Sequence, residues 1–158
     1  MGIRSIARGA FTNMTRVNTL AIDNNELSSL PLEIGSLVSL TTLFLSHNKL
    51  TSIPLGIFTN VSGIQYLSIS YNQLSTLPTD INELKELKFL LVNNNQLTSF
   101  PDGASTKLTN LFFLELSYNQ LSSIPGSISG LPGLVELILS HNQITSIPIG
   151  FFDNMPML

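Results

Sequence analysis

One feature limits what this chain can fold into more than any other. The pattern L-x-x-L-x-L-x-x-N-x-L-x-x-L-P recurs six times with almost no drift. Its first positions are Val17, Leu40, Ile64, Leu87, Leu111 and Leu134. The ninth is Asn every time: Asn25, Asn48, Asn72, Asn95, Asn119 and Asn142. An apolar-Pro pair closes each constant half, from Leu30-Pro31 through Leu77-Pro78 to Ile147-Pro148. Unit length alternates between 23 and 24 residues. A period in this range marks a stacked array whose units cannot bury their apolar faces singly.

Within each unit, positions 3 to 7 alternate between apolar and variable residues, the period-2 signature of a strand. Laid side by side, the units bring these strands into parallel pairing at ~4.8 Å per repeat. The leucines then turn inward and the variable residues outward. Charged residues make up 11% of the chain, well below the ~25% of an average soluble domain. Mean hydropathy is +0.31, yet no apolar run is long enough to span a bilayer, so the apolar residues are assigned to a regular core. The start, MGIRSIARGAF, lacks the apolar stretch of a signal peptide. A net charge of −3 gives no basic face for phosphate backbones, which argues against nucleic acid as a partner. With no cysteine, disulfides and thiolate metal sites are excluded.

These residues resemble the leucine-rich-repeat family over essentially the whole chain. The resemblance implies an α/β-class, right-handed horseshoe solenoid, with a parallel β-sheet on the concave face and turns or 3₁₀ segments on the convex face. It also implies that each ninth-position Asn bonds backbone groups of neighbouring turns, and that the module recognises a partner without any cofactor. The 24-residue units, such as IPLGIFTNVSG after the constant half, resemble repeats of extracellular receptors. The 23-residue units, such as LPTDINELKEL, resemble those of intracellular scaffolds and can hold a single helical turn. The expected organisation is one domain over 1–158. It has a partial unit at 1–16 with Ala7 in the proline place, then full units at 17–39, 40–63, 64–86, 87–110, 111–133 and 134–157. No terminal unit carries a recognisable cap, so the chain reads as a segment of a longer array or as one whose ends are covered by something else.

Candidate sites lie among the variable residues. Position 3 runs Thr19, Thr42, Tyr66, Phe89, Phe113, Glu136; position 5 runs Ala21, Phe44, Ser68, Leu91, Glu115, Ile138; position 8 runs Asn24, His47, Tyr71, Asn94, Tyr118, His141. The Tyr66–Phe89–Phe113 row, flanked by Phe44, Leu91, Tyr71 and Tyr118, predicts an apolar patch on the solvent side of the sheet. Such patches mark binding surfaces. Ser68, Glu115, Glu136 and Ile138 complete the expected ligand-binding set. Lys88 is the only basic residue expected on this face. Glu115 and Glu136 should stand ~8 Å apart on adjacent strands, a glycosidase-like separation. An open sheet gives them no cleft, and no catalytic motif occurs, so an enzyme is not expected. His47 and His141 stand four repeats apart, ~19 Å at strand spacing, and cannot share a metal. The Ser/Thr pairs at positions 12 and 13, such as Thr51-Ser52 and Thr98-Ser99, read as a solvated turn, with an ice- or glycan-binding row as the less favoured alternative. Sequons at Asn13 and Asn60 fall at one place in the long unit, away from the strands.

The expected function is non-enzymatic recognition of a protein or peptide on the concave face, as part of a larger surface receptor or adhesion protein. An intracellular scaffold or targeting subunit is the alternative. Direct membrane insertion is not expected, and compartment and oligomeric state stay open.

Overall fold

A computed structural model describes residues 2–158. Each unit contributes one short strand from positions 3 to 5: β1 (Thr19–Ala21), β2 (Thr42–Phe44), β3 (Tyr66–Ser68), β4 (Phe89–Leu91), β5 (Phe113–Glu115) and β6 (Glu136–Ile138). They form one parallel, open, six-stranded sheet in chain order. Like positions face like: Thr19 pairs with Thr42, Leu67 with Leu90, and Phe113 with Glu136. A slip of one residue would turn every leucine to solvent, which fixes this register. The architecture is the horseshoe solenoid that the repeat predicts.

The inward leucines make one continuous core. Leu43, Leu45, Leu67, Ile69, Leu90, Val92, Leu114 and Leu116 are all fully buried. Cover thins in the outer units: Leu20 and Ile22 at one end, and Leu137, Leu139 and Ile144 at the other, are only partly buried. On its outer side the first of these units meets only the partial unit before it, through Ile6 and Phe11, as expected for an array held by nearest-neighbour contacts.

The asparagines tie turn to turn. Asn48 Nδ2–H donates to the carbonyl oxygens of Ile22 at 2.9 Å, Leu45 at 3.1 Å and Ser46 at 3.4 Å. Its Oδ1 accepts the Leu27 N–H at 2.9 Å. Asn72, Asn95, Asn119 and Asn142 repeat the same set of bonds one unit on each time. A unit of parallel sheet that must leave its strand and turn would strand these amides and carbonyls in an apolar interior. One planar side chain with two donors and an acceptor satisfies them.

The residue before each asparagine supplies the bend. Asn24, His47, Tyr71, Asn94, Tyr118 and His141 all take left-handed backbone, with φ between 52° and 56°. The N–H groups of the first five still bond the next repeat, as His47 N does to Ser70 O at 3.0 Å.

On the convex side the two unit lengths fold differently. After an extended Pro31, Pro78 or Pro125, the short units enter 3₁₀ turns at Leu32–Ser36, Thr79–Glu83 and Gly126–Ile128. The long units instead turn through a left-handed glycine two residues after the proline place: Gly9, Gly56, Gly103 and Gly150, with φ from 74° to 92°. One of them goes on into a single α-helical turn, α1 (Ala104–Lys107). The helical turn expected in TDINELKEL is thus present, as a 3₁₀ turn.

Three substitutions test this account. Asn95→Ala orphans the buried Leu74 N–H and removes one of the two amide bonds to the Ile69 carbonyl, and should cost about 3 kcal/mol in urea unfolding; loss of less than 1 kcal/mol would refute the ladder's role. Gly103→Ala imposes a left-handed Cβ and should cost about 1–2 kcal/mol. Gly126→Ala, with nothing within 4 Å of the added Cβ and no positive φ, should leave stability within about 0.5 kcal/mol.

Candidate binding surface

The outward residues of the six strands form one concave surface, in three zones.

The central zone is aromatic. Position-3 rings, joined by Phe44 from position 5, meet across strands: Phe44 to Tyr66 at 5.3 Å, Tyr66 to Phe89 at 5.7 Å and Phe89 to Phe113 at 6.3 Å between centroids. These distances lie in the range of favourable aromatic pairs. The four rings and Leu91 are half-buried, so they rest on one another and do not stand free. The row is laterally packed and presents edges and partial faces to solvent.

Phe112, at position 2, extends the row. It is 44% exposed and its ring lies 5.9 Å from that of Phe89. The sequence columns at positions 3, 5 and 8 leave it out. The signal was available, because position 2 otherwise holds Asn18, Thr41, Gln65, Lys88 and Val135. Beside it opens a notch of about 360 Å³ lined by Lys88, Phe89, Thr109, Asn110, Phe112 and Gly133. Gly133 is needed there, since a Cβ would sit 2.7 Å from the Thr109 carbonyl oxygen. Lys88 Nζ donates to Gln65 Oε1 at 3.2 Å at the rim.

The second zone is polar and internally satisfied. Ser68, expected to contact a ligand, is 7% exposed, and its hydroxyl shares a 2.6 Å hydrogen bond with Ser46. Ser46 Oγ also accepts the Ser70 N–H, and Ser70 Oγ donates to Asn93. Ser68 is therefore corrected from a contact residue to part of the floor: its small side chain sinks between the neighbouring strands' larger residues. Glu115 is half-buried, with Oε1 accepting the Ser117 N–H at 2.9 Å, while Glu136 is exposed and Ile138 half-buried. None of the ion pairs among the described residues involves either glutamate; all three join Arg4, Arg8 or Lys49 to Glu26 or Glu33.

The third zone is the rim at position 8. His47 stacks on Tyr71, and Tyr118 on His141, each at 4.1 Å with 11° between planes. Tyr71 and Tyr118 are 47% and 50% exposed. Left-handed backbone is cheap for Asn and costly for bulky residues, so four of these six positions hold aromatics at some expense, which stacking offsets. The histidines thus serve in separate stacks. Among the described residues no group of three or more His, Cys, Asp or Glu side chains is placed to hold a metal ion.

Away from the sheet, the Ser/Thr pairs are exposed on their turn, and both Asn13 and Asn60 are exposed on the outer loops. No helix among the described residues is long and apolar enough to cross a membrane.

Comparison with known proteins agrees with this geometry. The family model described as leucine rich repeat matches residues 2–50, 38–97 and 85–144. No curated protein sequence matches. Among solved structures, the chain is similar to LRR protein LIC12759 of Leptospira interrogans, at 30% identity and TM-score 0.71, over 96% of this chain and 44% of that one. It is similar to the plant peptide hormone receptor RGFR1, solved in complex with RGF2, at 30% identity and TM-score 0.71, over 86% of this chain and 23% of that one. It shares its fold with the LRR ectodomain of the Arabidopsis thaliana membrane receptor kinase GASSHO1/SCHENGEN3, at 24% identity and TM-score 0.81, over 94% of this chain and 18% of that one. The chain therefore spans less than half the length of each. By its repeat, its sheet and this match across nearly its whole length, it belongs to the leucine-rich-repeat family, a protein-interaction fold.

Proposed function

We propose that the concave face binds an extended peptide or protein segment, and that the chain acts as the recognition part of a surface receptor or adhesion protein, without catalysis. The observation that carries this reading is the unbroken aromatic row from Phe44 through Tyr66 and Phe89 to Phe113 and Phe112, half-exposed on a rigid sheet. Aromatic side chains of this kind supply most binding energy at interfaces. A preformed sheet also adds little ordering cost. Tyr71, Leu91, Glu115, Tyr118, Glu136 and Ile138 border the row and complete the proposed contact surface, over a floor that includes Ser68. A peptide hormone receptor among the similar structures lends support.

The intracellular scaffold reading rests on the short units, whose LPxxI form resembles scaffold repeats. Glycan attachment separates the two. Asn13 and Asn60 face away from the sheet, where a glycan would leave the inner surface open. Mass spectrometry of protein from its native source should find both occupied; two bare asparagines would favour the scaffold.

Inward and outward neighbours should behave oppositely. Phe89→Ala should weaken partner binding by about 2 kcal/mol and stability by only about 1 kcal/mol, the loss of its ring pairs. Leu90→Ala should cost about 2–5 kcal/mol of stability. Tyr118→Asn, which suits left-handed backbone, should keep stability within about 1 kcal/mol and still weaken binding. Calorimetry of binding alongside urea unfolding reads both quantities. Unchanged affinity in Phe89→Ala, with folding lost instead, would sink the proposal.

A further inference from the structure

The concave face has a chemical direction as well as a shape. Its apolar notch sits beside Phe89 and Phe112 with Lys88 on the rim. Moving across the sheet toward β6, the position-3 row passes Phe113 and ends on Glu136, its direct cross-strand neighbour. Glu115 stands on β5 two residues after Phe113, paired with Ile138 of β6. Two carboxylates without an ion-pair partner among the described residues thus lie beside Phe113, one along its own strand and one across from it. The basic group on the notch rim, Lys88, is already bonded to Gln65.

Resting on the concave-face reading, we infer that the partner segment places a large apolar side chain in the Phe89/Phe112 notch and a basic side chain, arginine or lysine, against Glu115 and Glu136. The distance from notch to carboxylates is one to two strand spacings, ~5–10 Å, which an extended peptide covers in about two or three residues. A guanidinium between two carboxylates can bond both, and it can lie over the ring face of Phe113 or Tyr118 at the same time. Glu115 is prepared for this role: its Oε1 is held by the Ser117 N–H, which fixes the carboxylate while leaving lone pairs free. An acidic segment in that place would meet two like charges and be rejected. The same polarity orients the ligand, since reversing it would set its basic side chain beside Lys88.

The test is to pan a phage-displayed library of random linear peptides on the chain, then measure affinity with fluorescein-labelled synthetic peptides from the enriched set. The expected enrichment is an aromatic or large aliphatic residue followed or preceded, two or three positions away, by arginine or lysine. The Glu115→Gln/Glu136→Gln double variant should bind such a peptide about five- to ten-fold less tightly and lose its salt dependence. Its affinity for the same peptide with glutamine in the basic position should not change. Peptides that depend on Phe89 but carry no basic preference, or a preference the double variant keeps, would overturn this inference and leave the concave-face reading standing. Peptides whose binding survives both Phe89→Ala and Phe113→Ala would overturn both, as would the enrichment of no peptide at all.

Discussion

The structure depends on a single side-chain amide used once per turn. A parallel strand that stops after three residues leaves its following N–H and C=O groups inside an apolar coil, where each unpaired group costs on the order of 1–3 kcal/mol. The ninth-position asparagine answers this by donating to two or three carbonyls and accepting one N–H from the preceding turn. Because each asparagine reaches both its own turn and the one before, the ladder fixes the offset between units as well as their existence. The leucines supply most of the driving force. The asparagines decide that the buried leucines stack in one register.

That division of labour frees the outward positions. With inward leucines, ninth-position asparagines and closing prolines fixed by the coil, residues at positions 2, 3 and 5 carry little structural duty, and position 8 is held by its backbone bend alone, so their side chains can follow the needs of a partner. The aromatic row uses this freedom, and so does the rim. Tyr71 and Tyr118 sit in left-handed backbone that asparagine would hold more cheaply, as Asn24 and Asn94 do. Each is compensated by a stacked histidine. Side chains held at a local cost on an exposed rim are candidates for selection by something other than stability.

The fold was legible in the sequence because its signals repeat: six asparagines in phase, alternation across positions 3 to 7, and prolines at a fixed distance. The alternation of 3₁₀ turns with glycine turns on the convex side was partly legible, since TDINE suggested a helical turn and the two unit lengths alternate. The site was less so. Periodicity says which way a side chain points, but not how far its neighbours rise around it. Ser68 points outward and is nevertheless buried between larger residues, its hydroxyl taken by Ser46. Phe112 lies one position before the strand, outside the columns that alternation defines, and only the packing of its ring against Phe89 shows that it belongs to the row. The left-handed bend at position 8 was signalled by Asn24 and Asn94 but masked by Tyr71 and Tyr118, since tyrosine does not advertise it.

The central claim is that the inward rows build the coil while the outward aromatic row meets the partner. Site-specific photo-crosslinking tests it most directly, with a benzophenone amino acid placed at Phe113 on the concave row or at the exposed Leu55 on the convex turn beside Gly56. The account predicts that a bound peptide is captured in high yield from position 113 and not above background from position 55. Capture from position 55 alone, or equally from both, would contradict it.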